Sequence, residues 1–191
     1  MLRSLIFWLV YFPLATAAAA PQDQPPMPFH DWGACPFECC TYREWTAVSP
    51  VTAFKSRDER GAIAFQVRRN ERVVAISGVV VTHKTGVLEA RNPTKVGYLP
   101  GSKDPVLSLK PGDRVYALHY VGEGNEVFWY QGKTYVDEIP IPAEMSGESS
   151  FGDFKVLSRP RYVWWAKLRN RAGNTGWTRR TNLFGNKDAC G

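Results

Sequence analysis

Beyond its first twenty positions, this 191-residue sequence has no apolar run long enough to cross a bilayer, which takes about 20 residues as a helix. No segment keeps a 3.6-residue hydrophobic period, which argues against a helical bundle or coiled coil. Cysteine is scarce at four residues, too few to build a scaffold of this length from disulfides. The three histidines, His30, His83 and His119, stand singly, and the metal-binding pattern His-Glu-x-x-His is absent. Gly147-Glu148-Ser149-Ser150 does not complete a nucleophile elbow. No glycine-rich phosphate loop occurs. The carboxylate pairs Asp58-Glu59 and Asp137-Glu138 fall in expected loops, where solvation accounts for them. These gaps argue against an enzyme. No catalytic residue, metal or cofactor is expected.

What the chain does have is aromatics: ten Phe, eight Tyr and seven Trp. Four of them lie in residues 1–19, which read as a signal peptide. Arg3 gives the positive start, Leu5 to Leu14 the apolar run, and Ala15 to Ala20 the small residues near the cut. Cleavage is expected near Ala17–Ala20. The product is then periplasmic or secreted, and not an integral membrane protein. Export puts Cys35, Cys39, Cys40 and Cys190 in an oxidising compartment, where they pair. A bridge between adjacent Cys39 and Cys40 is the least favourable. The two other arrangements each join one of them to Cys35 and the other to Cys190. Both close a loop of about 150 residues, worth roughly 4–5 kcal/mol on the chain-entropy model. Zinc on three cysteines and His30 is the competing use, but Cys-x₃-Cys-Cys is not a zinc spacing.

Residues 20–49 read as a Pro-rich leader followed by an irregular plug carrying Cys, Phe29, Trp32, Phe37, Tyr42 and Trp45. From there strand signals dominate: Val51 to Phe54, Ala62 to Val67, Arg72 to Val81 broken by Gly78, Val87 to Ala90, Val106 to Leu109, Arg114 to Val121, Val127 to Tyr130, Thr134 to Val136, Arg161 to Leu168 and Gly176 to Thr178. A 3₁₀ turn is expected at Thr181 to Phe184. Residues 137–160, with Pro140, Pro142 and Pro160, read as a long loop. Short strands at this spacing predict a mainly β fold of small barrels or a sandwich.

Charge is uneven. Residues 101–154 hold four basic and nine acidic groups, and residues 155–191 hold nine basic and one acidic. The basic end is interleaved with Tyr162, Trp164, Trp165 and Trp177. Basic groups beside aromatics can hold nucleic acid, but export disfavours that partner. Anionic envelope polymers, lipid head groups or an acidic protein fit better. The competing account is internal, with the basic end lying against the acidic middle. Strand parity sends Trp164 and Trp165 to opposite faces, and separates Trp129 from Phe128 and Tyr130. The outward rings form either a ligand groove or the floor beneath the plug. Candidate ligand contacts are Trp129, Trp164, Trp165, Arg169, Arg171 and Trp177.

The segment from Trp164-Trp165 through Asn170-Arg171-Ala172-Gly173 to Gly176-Trp177 resembles the end of bacterial SH3-like domains, and Leu107 to Val121 with its Lys-Pro-Gly-Asp turn resembles their first half. Residues 50–101 resemble a second copy more weakly, without the Trp-Trp and Gly-Trp ending. The resemblance implies one or two SH3-like barrels, over 50–101 and 102–191, the latter with an insertion at 137–160. It also implies a non-catalytic binding module for a cell-envelope component or peptide. An interaction or inhibitor-like partner of another secreted protein is the alternative, and a cell-wall hydrolase the third reading.

Overall fold

Runs of Val, Ile, Thr and aromatic residues fit a pleated, half-buried surface, and here they become strands almost throughout. The computed structural model describes residues 23–98, 102, 104–139, 141 and 149–190, with 149–151 as backbone. The expected signal peptide and residues 140 and 142–148 lie outside them. The strands in chain order are β1 (Phe29–Trp32), β2 (Glu44–Ala47), β3 (Val51–Phe54), β4 (Ile63–Val67), β5 (Arg72–Lys84), β6 (Gly86–Ala90), β7 (Thr94–Val96), β8 (Leu107–Leu109), β9 (Arg114–Gly122), β10 (Asn125–Tyr130), β11 (Lys133–Glu138), β12 (Ser149–Phe151), β13 (Phe154–Ser158), β14 (Arg161–Arg169), β15 (Thr175–Thr178) and β16 (Phe184–Gly185). A 3₁₀ turn spans Thr181–Leu183. The fold is mainly β, with a sheet that curls into a half-barrel and no α-helix among the described residues.

Two sheets divide the strands. The first runs β16-β2-β5-β14-β15-β3-β4, with β1 paired to the far half of β5. The second runs β11-β10-β9-β6-β13-β12, and β7 pairs β8 alongside. All pairings are antiparallel. Each sheet buries its own core. Trp45, Phe65, Val73, Leu168 and Phe184 lead the first, and Leu88, Leu109, Phe128, Ile139 and Val156 the second.

This grouping differs from the expected ranges 50–101 and 102–191. β14 pairs with β5 along nearly its whole length, and β15 pairs with β3, so the C-terminal strands complete the sheet begun near the N-terminus. The strands of the second sheet, β6 and β9 to β13, lie in the chain between β5 and β14, two neighbouring strands of the first. The chain leaves through Thr85 and returns through Pro160, and the two crossings touch. A Cβ on Gly86 would lie 2.7 Å from Pro160 Cδ and 2.9 Å from the Ser158 carbonyl oxygen. Two further expectations are corrected. The plug is not wholly irregular, because β1 and β2 both pair with β5. The expected loop at 137–160 contains the hairpin of β12 and β13, the latter on β6.

The cysteines form Cys35–Cys40 and Cys39–Cys190, with Cα separations of 5.5 and 5.6 Å. They place the chain in an oxidising, extracytoplasmic setting. No described helix is long and apolar enough to cross a membrane.

Candidate binding cleft

Strand register decides which side chains meet. On β14, Trp165 and Lys167 share one face and Trp164 takes the other. Trp165 lies opposite Val79, which in turn lies opposite Trp32 of β1. Lys167 lies opposite Trp177 of β15. One face of the first sheet therefore carries Trp32, Trp165, Lys167 and Trp177 over a small apolar patch of Val79 and Val81.

Trp32, Val81, Trp165 and Trp177 of this face border a cleft of about 550 Å³, completed by Pro28, His30, His83 and the loop residues Ser56, Arg57 and Asp58. Trp32 is 61% exposed. Its ring meets Trp177 edge-on at 6.4 Å between centroids, with 68° between planes. The Arg57 guanidinium sits beside both rings, 4.8 Å from that of Trp32 and 5.8 Å from that of Trp177. Lys167 Nζ lies 5.7 Å from the Trp177 ring, and His30 stacks with Trp32 at 6.0 Å. Aromatic faces and cations thus alternate along the rim, each cation attracted by a ring quadrupole.

The expected candidates fall in four places. Trp165 and Trp177 meet in the cleft. Trp164 lies across the sheet as floor for the plug, with Phe37 at 5.9 Å and Trp45 at 5.8 Å, and its indole N–H donates to Tyr42 Oη at 3.1 Å. The Tyr42 hydroxyl donates in turn to the Ala34 carbonyl, and burial pushes it up to about 12. Trp129 packs edge-on against Phe29 at 6.1 Å. Arg169 and Arg171 line a separate depression with Arg72, Glu44, Val73 and Val74. Groove and floor thus both exist, on opposite faces. Trp32, His30 and Arg57 were not among the candidates. Alternation within Phe29-His30-Asp31-Trp32 carried the signal, since it puts His30 and Trp32 on the face opposite Phe29 and Asp31.

Where the two sheets face each other the seam is polar. His119, fully buried, places Nε2 2.8 Å from Asp31 Oδ2 and Nδ1 3.0 Å from the Tyr120 carbonyl oxygen. Thr82 Oγ1 donates to the Leu118 carbonyl at 3.0 Å. Glu126 is buried, with Oε2 lacking any hydrogen-bond partner. Burial pushes its carboxyl up to about 7, against the pull of Arg159.

The basic C-terminal stretch divides its partners, and Arg159 lies within electrostatic reach of Glu126 in the acidic middle. Arg179 and Arg180 both reach Glu59, at 2.5 and 3.1 Å, and the Arg179 hydrogen bond holds the Glu59 carboxyl below its usual range. Among the described residues, one group of acidic, Cys and His side chains lies close enough to share an ion: Glu38 with Cys39 and Cys190, whose sulfurs are bonded to each other.

Comparison with known proteins returns no family model, no curated protein and no solved structure that matches. Nothing in it identifies an SH3-like domain.

Proposed function

We propose that the protein is an exported, non-catalytic binding module that holds a cell-envelope component or peptide in the Trp32–Trp177 cleft. The observation that carries this reading is Trp32 itself. A large ring left 61% exposed, beside a second Trp and an arginine that contacts both rings, offers apolar area and charge where a ligand can reach both. Ser56, His83 and Asp58 also border the cleft and add polar groups that a ligand can meet. The disulfides support export, and the resemblance of the segment Trp164 to Trp177 to the end of SH3-like domains is what suggests a binding role.

Retention on isolated cell-wall sacculi and envelope fractions tests it. Wild type is retained, and Trp32→Ala is retained at least about tenfold less, as expected for a central aromatic contact. No retention of wild type, or retention indifferent to Trp32, overturns the reading. Breakdown of the retained material by purified protein overturns its non-catalytic part.

A further inference from the structure

We infer, resting on the binding reading above, that the ligand is a linear acidic polysaccharide lying lengthwise along β14. One sugar ring occupies the aromatic cleft, and the acid groups that follow it meet a row of cations.

The row is set by strand geometry. Trp165, Lys167 and Arg169 alternate onto one face of β14. The two irregularities in this ladder each add their extra residue to β5, between Thr82 and Lys84 and between Ala75 and Ser77, and leave the alternation of β14 intact. Past the end of the strand, Arg169 and Arg171 line a second depression, of about 350 Å³, floored by Val73 and Val74. From Trp165 to Arg169 is four residue steps, roughly 13 Å at strand rise. Trp32 stands abreast of Trp165, across Val79 of β5, and Arg171 prolongs the stripe past the end of β14. A ligand bearing one acid group uses a fraction of this path. A chain bearing an acid group on each unit uses all of it.

The charge balance along the stripe points the same way. Arg57, Lys167, Arg169 and Arg171 have no carboxylate partner among the described residues. The acids bordering this face already answer to arginines, Asp58 to Arg60 at 3.6 Å and Glu44 to Arg72 at 3.2 Å. The face therefore keeps positive charge for something outside the chain. Arginine pairs with carboxylate, sulfate and phosphate oxygens alike, so the shared chemistry is a repeating oxyanion.

The aromatic end selects sugar over peptide. The two Trp planes stand at 68°, which leaves no parallel slot for a flat ring. An exposed Trp face does suit the C–H face of a pyranose, and His30, His83 and Ser56 at the cleft wall offer hydrogen bonds to its hydroxyls. An acidic peptide would use the cations and leave Trp32 idle.

The test measures binding of the full disulfide-bonded protein to polygalacturonate oligomers of graded length, to the same oligomers fully methyl-esterified, to sulfated dextran, and to poly-L-glutamate. The expected result is affinity that climbs with length by on the order of tenfold, falls with salt, and is lost on esterification. Comparison of the carboxylate and sulfate polymers identifies the preferred oxyanion. Trp32→Ala weakens binding at every length, and Arg169→Ser/Arg171→Ser flattens the climb. These three side chains are exposed, so an unchanged melting temperature shows the variants to be folded. Equal binding of the neutral esters, no dependence on length, or tight binding of poly-L-glutamate that ignores Trp32→Ala overturns the inference. If envelope material is retained through Trp32 while no acidic polysaccharide binds, the ligand class falls and the binding module stands. If nothing is retained, both fall.

Discussion

Glu126 is the residue whose surroundings predict the clearest pH response. Its carboxyl is buried in the seam with one oxygen unpartnered, so burial raises its titration from 4.5 to about 7, and the charge of Arg159 offsets part of the rise. A carboxyl raised in the folded state holds a proton that the unfolded chain has already released. Between those two values the native state binds more protons, and stability must fall as pH rises through the window. Below 4.5 the group contributes no such loss, and above about 7 the loss is complete. At about 1.4 kcal/mol per unit, the full effect is up to about 3 kcal/mol. Denaturant titrations from acid to mildly alkaline pH should show this decline in wild type. Glu126→Gln, neutral at every pH, should remove that part of the decline and stabilise the protein at pH 8 by about 1–3 kcal/mol. An identical pH profile in the variant would show that the carboxyl is ionised and satisfied in the fold.

At the scale of elements, the ladder of β5 with β14 is the spine, and Gly78 is where the plug is pinned to it. A Cβ there would fall 2.0 Å from Tyr42 Oη and 2.9 Å from the Trp165 carbonyl oxygen. The glycine thus makes room for the hydroxyl that links Ala34 to Trp164. Gly78→Ala should cost about 1–3 kcal/mol by overpacking. Tyr42→Phe should cost a similar amount, because the Trp164 indole N–H then lacks its acceptor. Removing the hydroxyl also removes the worst clash, so the double variant should lose clearly less than the two single losses combined. Strict additivity in thermal or urea unfolding would mean that the two groups do not meet. The same elements show what was legible. Val51 to Phe54, Arg114 to Val121 and Arg161 to Leu168 announce themselves by alternation and β-branching, and their bounds hold to within a residue or two. Gly78 was legible as a break but not as a docking point, since its partner Tyr42 lies on another element. β7, β12 and β16 are two or three residues long, too short for any period to register. Partner choice was the larger gap. Nothing local in Arg161–Arg169 says that it pairs with β5, about eighty positions earlier. For the cleft, parity separated Trp164 from Trp165, but Arg57 sits in a loop whose path no period encodes.

At the scale of the whole molecule, the inserted sheet leaves the plug and the C-terminal segment side by side, and Cys39–Cys190 joins them. The turn from Cys35 to Cys40 is closed by backbone hydrogen bonds from Phe37 N–H to the Cys35 carbonyl and from Cys40 N–H to that of Phe37. Within that turn Cys39 adopts a φ of 54°, a left-handed conformation that non-glycine residues rarely take, and its sulfur bonds to Cys190 and not to Cys35. This local geometry chooses between the two pairings that the sequence left open. The C-terminal segment is also zipped to the plug without sulfur: Thr41 N–H reaches the Lys187 carbonyl at 2.9 Å, Ala189 N–H that of Cys39 at 2.8 Å, and Arg43 Nε the Asn186 carbonyl at 3.1 Å. The bridge spans 151 residues, and on the chain-entropy model closing such a loop is worth about 5 kcal/mol. Its loss acts on the unfolded chain, while the hydrogen bonds hold the native ends in place. Cys39→Ser/Cys190→Ser should therefore keep the fold and the cleft, leave Cys35–Cys40 intact, and lower the melting temperature by about 10 °C or more, at roughly 2–4 °C per kcal/mol for a chain of this size. Folding and ligand retention at low temperature should match wild type. Calorimetry on the paired variant decides it: an unchanged melting temperature would show that the hydrogen-bonded zipper alone carries the closure, and unfolding at all temperatures that the native contacts depend on the tether.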